Sequence, residues 1–114
     1  MIVKLTRQER EALAHRLTCD GLNEVTIEEG FDPQVVEDAI DAAGVMVARG
    51  EIDDAALDPC LVSVLRDCVE GSTWVGVIDE NERPALARAA IRTLQGLARK
   101  LESVGIGSIY VPAG

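Results

Sequence analysis

Few side chains in this sequence could form a metal site or serve as a nucleophile: one histidine, His15, and three cysteines, Cys19, Cys60 and Cys68. His15 and Cys19 lie four residues apart, so a continuous helix would set them on one face and offer half of a tetrahedral zinc site. The other half would have to come from Cys60, Cys68 or scattered carboxylates, none of them at motif spacing. A Cys-His nucleophile pair needs a proximity that spacing does not supply, and an oxyanion-stabilising loop that no stretch of the chain resembles. The expectation is that these residues fill core or surface positions and that the protein uses no metal and no cofactor.

Other patterns lead to the same expectation. No glycine-rich stretch leads to Gly-Lys-Ser/Thr, and Gly105-Ile106-Gly107-Ser108 lacks the glycine spacing and the following helix of a dinucleotide site. Asp53, Asp54 and Asp58 are not at calcium-loop spacing and have no central glycine, so they read as a solvated, helix-capping turn. Paired carboxylates are uninformative where 20 acidic residues are available. The sequence therefore leans away from an enzyme.

The elements that position these side chains are mainly helical. Thr6-Arg7-Gln8-Glu9 has the form of a capping box and starts a helix at Arg7 that should run to about Thr18. Asp32-Pro33 is an N-cap followed by proline at the first helical position. From there Val36, Ile40, Ala43 and Val47 repeat at helical spacing until Gly50. Asp58-Pro59 repeats the start signal, and Leu61, Val64, Leu65 and Cys68 form one face as far as Gly71. A last helix is expected from about Glu82 to Val104, with Pro84 tolerated in its first turn.

Short strands are expected at Glu24–Glu28, Thr73–Ile78 and Ile106–Val111, with Ile2–Leu5 as a fourth candidate. The predicted fold is a mainly α, four-helix bundle-like single domain over residues 1–114 with a small peripheral β-sheet; an α+β domain is the alternative. With 47% hydrophobic residues, a chain of 114 residues can bury a core.

The last helix carries a seam. Ala87, Ala90, Leu94, Leu97, Leu101 and Val104 follow at alternating intervals of three and four, the spacing of a heptad. Such a seam must be covered, either by the rest of the chain or by a second copy. The tail after it, with Ile106, Ile109, Tyr110 and Val111, must also dock, because each large aliphatic side chain left in water forfeits roughly 1.5 to 3 kcal/mol.

Charge is segregated along the chain, with a formal net value of −9. Residues 20–82 hold 17 acidic and two basic side chains, whereas residues 83–114 hold five basic and one acidic. Glu37, Asp38 and Asp41 on the second helix, with Asp53 and Asp54 after it, form an acidic patch expected to repel nucleic acid and attract a basic protein. In the last helix Arg88, Arg92 and Arg99 fall within about 40° of one another at about 100° per residue. They are either solvated or paired with those acids. Phe31, Trp74 and Tyr110 are the only aromatics, too few for a base-stacking platform.

No uncharged run approaches the roughly 20 apolar residues of a membrane span. Lys4, Arg7, Glu9, Arg10 and Glu11 interrupt any signal-peptide core, so a cytoplasmic location is expected. The functional expectation is a non-enzymatic protein–protein interaction or regulatory module. It would self-associate as a dimer through Ala90, Leu94, Leu97, Leu101, Val104, Ile109 and Tyr110. The alternative is an acidic nucleic-acid mimic that occupies the groove of a DNA- or RNA-binding protein.

Overall fold

Local side-chain chemistry sets the helix starts. In the computed structural model, which describes residues 1–18, 26–27, 29–74 and 83–111, helix α1 spans Arg7–Leu17. The Thr6 hydroxyl accepts from the Glu9 amide at 3.2 Å while the Thr6 amide donates to Glu9 Oε1 at 2.8 Å, satisfying two otherwise orphaned donors. Helix α2, Pro33–Arg49, begins where Asp32 Oδ1 accepts from the Gln34 amide, and helix α3, Pro59–Glu70, where Asp58 Oδ1 accepts from the Leu61 amide. Each such cap stabilises its helix by about 1 kcal/mol. Helix α4, Pro84–Ser103, has no side-chain cap and starts on its proline. The expected start at Glu82 lies outside the described residues.

Helix ends follow the same local logic. Gly50 takes a left-handed φ of 72° after α2, a conformation that strains any residue with a Cβ. At Gly71, after α3, the constraint is space, since a Cβ would stand 2.7 Å from Asp67 Oδ1.

The sheet differs from expectation. Strand β1, Ile2–Lys4, pairs antiparallel with β2, Glu51–Asp53, in the register Val3 to Ile52. Glu51–Asp53 is not among the expected strands, yet the side chain of Ile52 turns fully inward while Glu51 stays exposed and Asp53 is half-buried. A 3₁₀ turn, Asp54–Ala56, follows it.

Of the three other expected strands, the first has Thr26 and Ile27 in a helix and residues 24, 25 and 28 outside the described residues; Glu29 and Gly30, beyond it, form a turn. Thr73 and Trp74 are not in a strand, and residues 75–78 lie outside the described residues. Residues 106–111 form no strand. Ile106 and Ile109, three residues apart, are buried in the main core, while Tyr110 faces outward.

The result is a mainly α fold with a two-stranded antiparallel sheet. Helices α1 and α3 touch each other, and each packs against both α2 and α4, so they stand between the latter two. The main core gathers Leu13, Val36, Ile52, Val64, Leu65, Leu97, Leu101 and Ile106. A smaller cluster of Ala12, Ala90 and Leu94, flanked by Trp74, Ile91 and Val111, closes the other end of the α1–α4 contact.

Candidate functional site

The seam of α4 belongs to the core. Leu94, Leu97 and Leu101 are each 0% exposed within their own chain, and Ala90, Val104 and Ile109 are also buried. Alanine at positions 87 and 90 lets the neighbouring backbone approach closely, and Ala90 and Leu94 cluster with Ala12 of α1. The heptad spacing demanded a cover, and the cover is intramolecular.

Tyr110 alone of the expected interface is outside, at 71% exposure. The tail is held by two polar contacts between which its isoleucines are buried. The Arg66 guanidinium donates to the Ile106 carbonyl, and the Ile109 amide donates to Glu102 Oε1 at 3.1 Å. Burial of these residues in one chain leaves no apolar surface on the seam for a second copy to cover.

The acidic patch divides in two. Glu37, Asp38 and Asp41 are exposed on the outer face of α2; Asp38 accepts from Gln34 Nε2 at 3.1 Å, and none of the three forms an ion pair among the described residues. Glu37 and Asp41 flank an open groove of about 370 Å³ lined by Ile27, Pro33 and Ile40. Asp53 and Asp54 are engaged locally. Asp53 accepts from the Ala55 amide, capping the 3₁₀ turn, and Asp54 meets the terminal amine of Met1 at 2.9 Å. The amine's hydrogen bond holds the Asp54 carboxyl below the usual carboxylate range, and the same contact raises the amine above its ordinary value.

The basic stripe is separate from the acids. Arg88, Arg92 and Arg99 are exposed and make no hydrogen bond or ion pair among the described residues. They do not neutralise Glu37, Asp38 or Asp41, because α1 and α3 stand between the helices that carry them.

Charges near the core are paired instead. Lys100 Nζ lies 2.6 Å from the buried Glu9 and also donates to the Lys4 carbonyl, tying α4 to α1 and β1. Arg16 donates through Nε and Nη2 to Asp67 Oδ2, at 3.1 and 2.7 Å, with 11% and 16% of the two side chains exposed. Neither pair was anticipated. Glu9 was legible only as a capping residue, and a separation of 91 residues leaves no periodic signal of Lys100.

Of the histidine and three cysteines, only Cys19 lies outside the described residues. His15 Nε2 is 3.2 Å from Thr73 Oγ1. Cys60 and Cys68 are buried and in no disulfide. Burial pushes the Cys60 thiol above its ordinary pKa, reinforced by the charges of Asp58 and Glu29, which disfavours the thiolate that reaction requires.

Among the described residues no three His, Cys, Asp or Glu side chains are grouped to hold a metal ion, and no helix is long and apolar enough to cross a membrane. A second groove, of about 420 Å³ between α1 and the end of α2, is lined by Arg7, Arg10, Glu11 and Val47. Both of its arginines are already committed, Arg7 pairing with Glu11 at 3.3 Å and Arg10 donating to the carbonyls of Val47 and Ala48 at 2.9 Å each and so capping α2. No protein-family model matches the chain, and neither a curated protein nor a solved structure matches it.

Proposed function

We propose that this protein is a non-catalytic interaction module that presents the outer face of α2 to a basic protein. The observation carrying this reading is the contrast in charge pairing. The acids near the core, Glu9 and Asp67, are matched by Lys100 and Arg16, whereas Glu37, Asp38 and Asp41 stand together in solvent with no cation beside them among the described residues. Three adjacent carboxylates make the local potential more negative than any one of them would, and a groove with an apolar floor beside them can take the aliphatic stem of a lysine or arginine. Dimerisation through the α4 seam is not part of this reading, since those leucines are occupied by their own core.

Isotope-labelled protein titrated with a Lys/Arg-rich peptide tests it. Amide shifts should concentrate on residues 34–45. The double variant Asp38→Asn with Asp41→Asn should weaken binding about five-fold, the value for two exposed ion pairs of about 0.5 kcal/mol each. Glu11→Gln with Glu51→Gln removes the same net charge elsewhere and should have a smaller effect. Equal losses from the two double variants, or shifts spread over every acidic surface, would show a response to net charge alone and defeat the proposal.

A further inference from the structure

The outer face of α4 has no partner among the described residues, and its residues repeat a pattern found on α2. Arg88, Arg92, Gln95 and Arg99 follow at intervals of four, three and four, and all are exposed. On α2, Gln34, Asp38, Asp41 and Val45 follow at the same intervals, and all are exposed. Each row spans about 16 Å at about 1.5 Å per residue, and each stays on one side of its helix.

One row is cationic and the other anionic, with Glu37 beside it. Within one chain the rows cannot meet, because α1 and α3 stand between α2 and α4 and both helices turn their apolar sides to those two. The rows therefore look outward in different directions.

We propose that the Arg88/Arg92/Arg99 face of one copy docks on the Asp38/Asp41 face of a second copy, a heterologous, head-to-tail contact between unlike surfaces. This rests on the reading of the α2 face as the binding surface and names the arginine row of a second copy of this chain as the basic surface it meets. Three features carry it: opposite charge, equal residue spacing, and the small side of α2 at Gly44 and Ala48, both exposed, which lets a facing helix approach. The net charge of −9 opposes association at long range. Screening at physiological salt confines that repulsion to about 8 Å, so the facing rows govern the contact itself. A heterologous contact leaves a free acidic face at one end and a free basic face at the other, so it propagates unless rotation closes a ring.

Sedimentation velocity on the full chain, at protein concentrations up to about 1 mM, tests this. The wild type should associate reversibly in about 0.1 M salt and revert to monomer in about 1 M salt, where the Debye length is about 3 Å. Asp38→Asn with Asp41→Asn removes one face, and Arg88→Gln with Arg92→Gln and Arg99→Gln removes the other. All five positions are exposed, so both variants should keep the wild-type circular dichroism. Each variant alone should need at least about five-fold more protein to associate.

Mixed together, the variants should form a complex that stops at one copy of each, because one intact acidic face meets one intact basic face. A wild type that stays monomeric throughout, variants that associate as the wild type does, or a mixture that stays monomeric would each overturn the proposal. The peptide titration separates the two readings. The arginine-neutralised variant should still bind the basic peptide on residues 34–45, so its binding with a monomeric wild type would remove the second copy as partner and leave the α2 surface standing.

Discussion

Replacing Leu97 by alanine decides between the two ways of covering the α4 seam. Leu97 is wholly buried among its own chain's side chains, and its truncation loses the transfer free energy of the removed carbons and leaves a cavity. Losses at such sites run from about 2 to about 5 kcal/mol. Taking about 3 kcal/mol, the variant would forfeit a large share of the roughly 5 to 15 kcal/mol that holds a domain together.

For a chain of this length, about 4 °C of melting temperature accompanies each kcal/mol, so a fall of about 12 °C is expected. The assay is urea and thermal unfolding by circular dichroism in about 1 M salt, which screens contacts between charged surfaces, at two protein concentrations a decade apart. An intramolecular seam gives the same loss at both concentrations. A loss below about 1 kcal/mol, or a wild-type melting temperature that climbs with concentration while that of the variant does not, would mean that a second chain covers the leucines and would refute the reasoning.

Two other perturbations probe the described structure. In a double-mutant cycle on Arg16 and Asp67, each alanine variant should lose about 1 to 3 kcal/mol, a partial discount from a fully buried pair, with a coupling of about 1 kcal/mol, measured by urea unfolding; additive losses would show that the contact contributes nothing. Cys60, with its thiol pKa raised, should react with iodoacetamide at least about 100-fold more slowly in native protein than in urea at a pH near 8. The folded state holds this proton more tightly than the unfolded chain. The stability contributed is therefore complete below the ordinary thiol range and falls as pH rises from there through the raised value. Native labelling at the unfolded rate would show an accessible thiol.

Much of the helical architecture was legible because helix ends are decided by neighbours in sequence. Thr6 with Glu9, Asp32 with Pro33, Asp58 with Pro59, and Gly50 each act on backbone groups within four residues, and α1, α2 and α3 begin and end within one residue of where those signals place them. The strands were less legible. Ile2–Lys4 can pair only because Glu51–Asp53 is brought beside it, and a three-residue segment holding one buried isoleucine has no periodicity to display. The tail shows the converse error, since an apolar run must be covered whether by a strand or, as for Ile106 and Ile109, by the main core.

The candidate surface was legible only in part. Glu37, Asp38 and Asp41 share a helix face by spacing alone, but that Asp53 and Asp54 turn to local partners depends on how the chain folds after Gly50.

Taken by itself, the order of residues determined where helices start and stop, which side of each is apolar, and how charge is divided along the chain, since all three depend on side chains within a few turns of one another. Only the tertiary structure decided what covers the α4 leucines, which acids find a cation, and whether the arginine row meets the acidic row. Those outcomes join residues far apart in the chain, such as Glu9 with Lys100, and depend on two surfaces arriving together in space. A hydrophobic stripe specifies that it must be buried, and the arrangement of the other helices selects the partner.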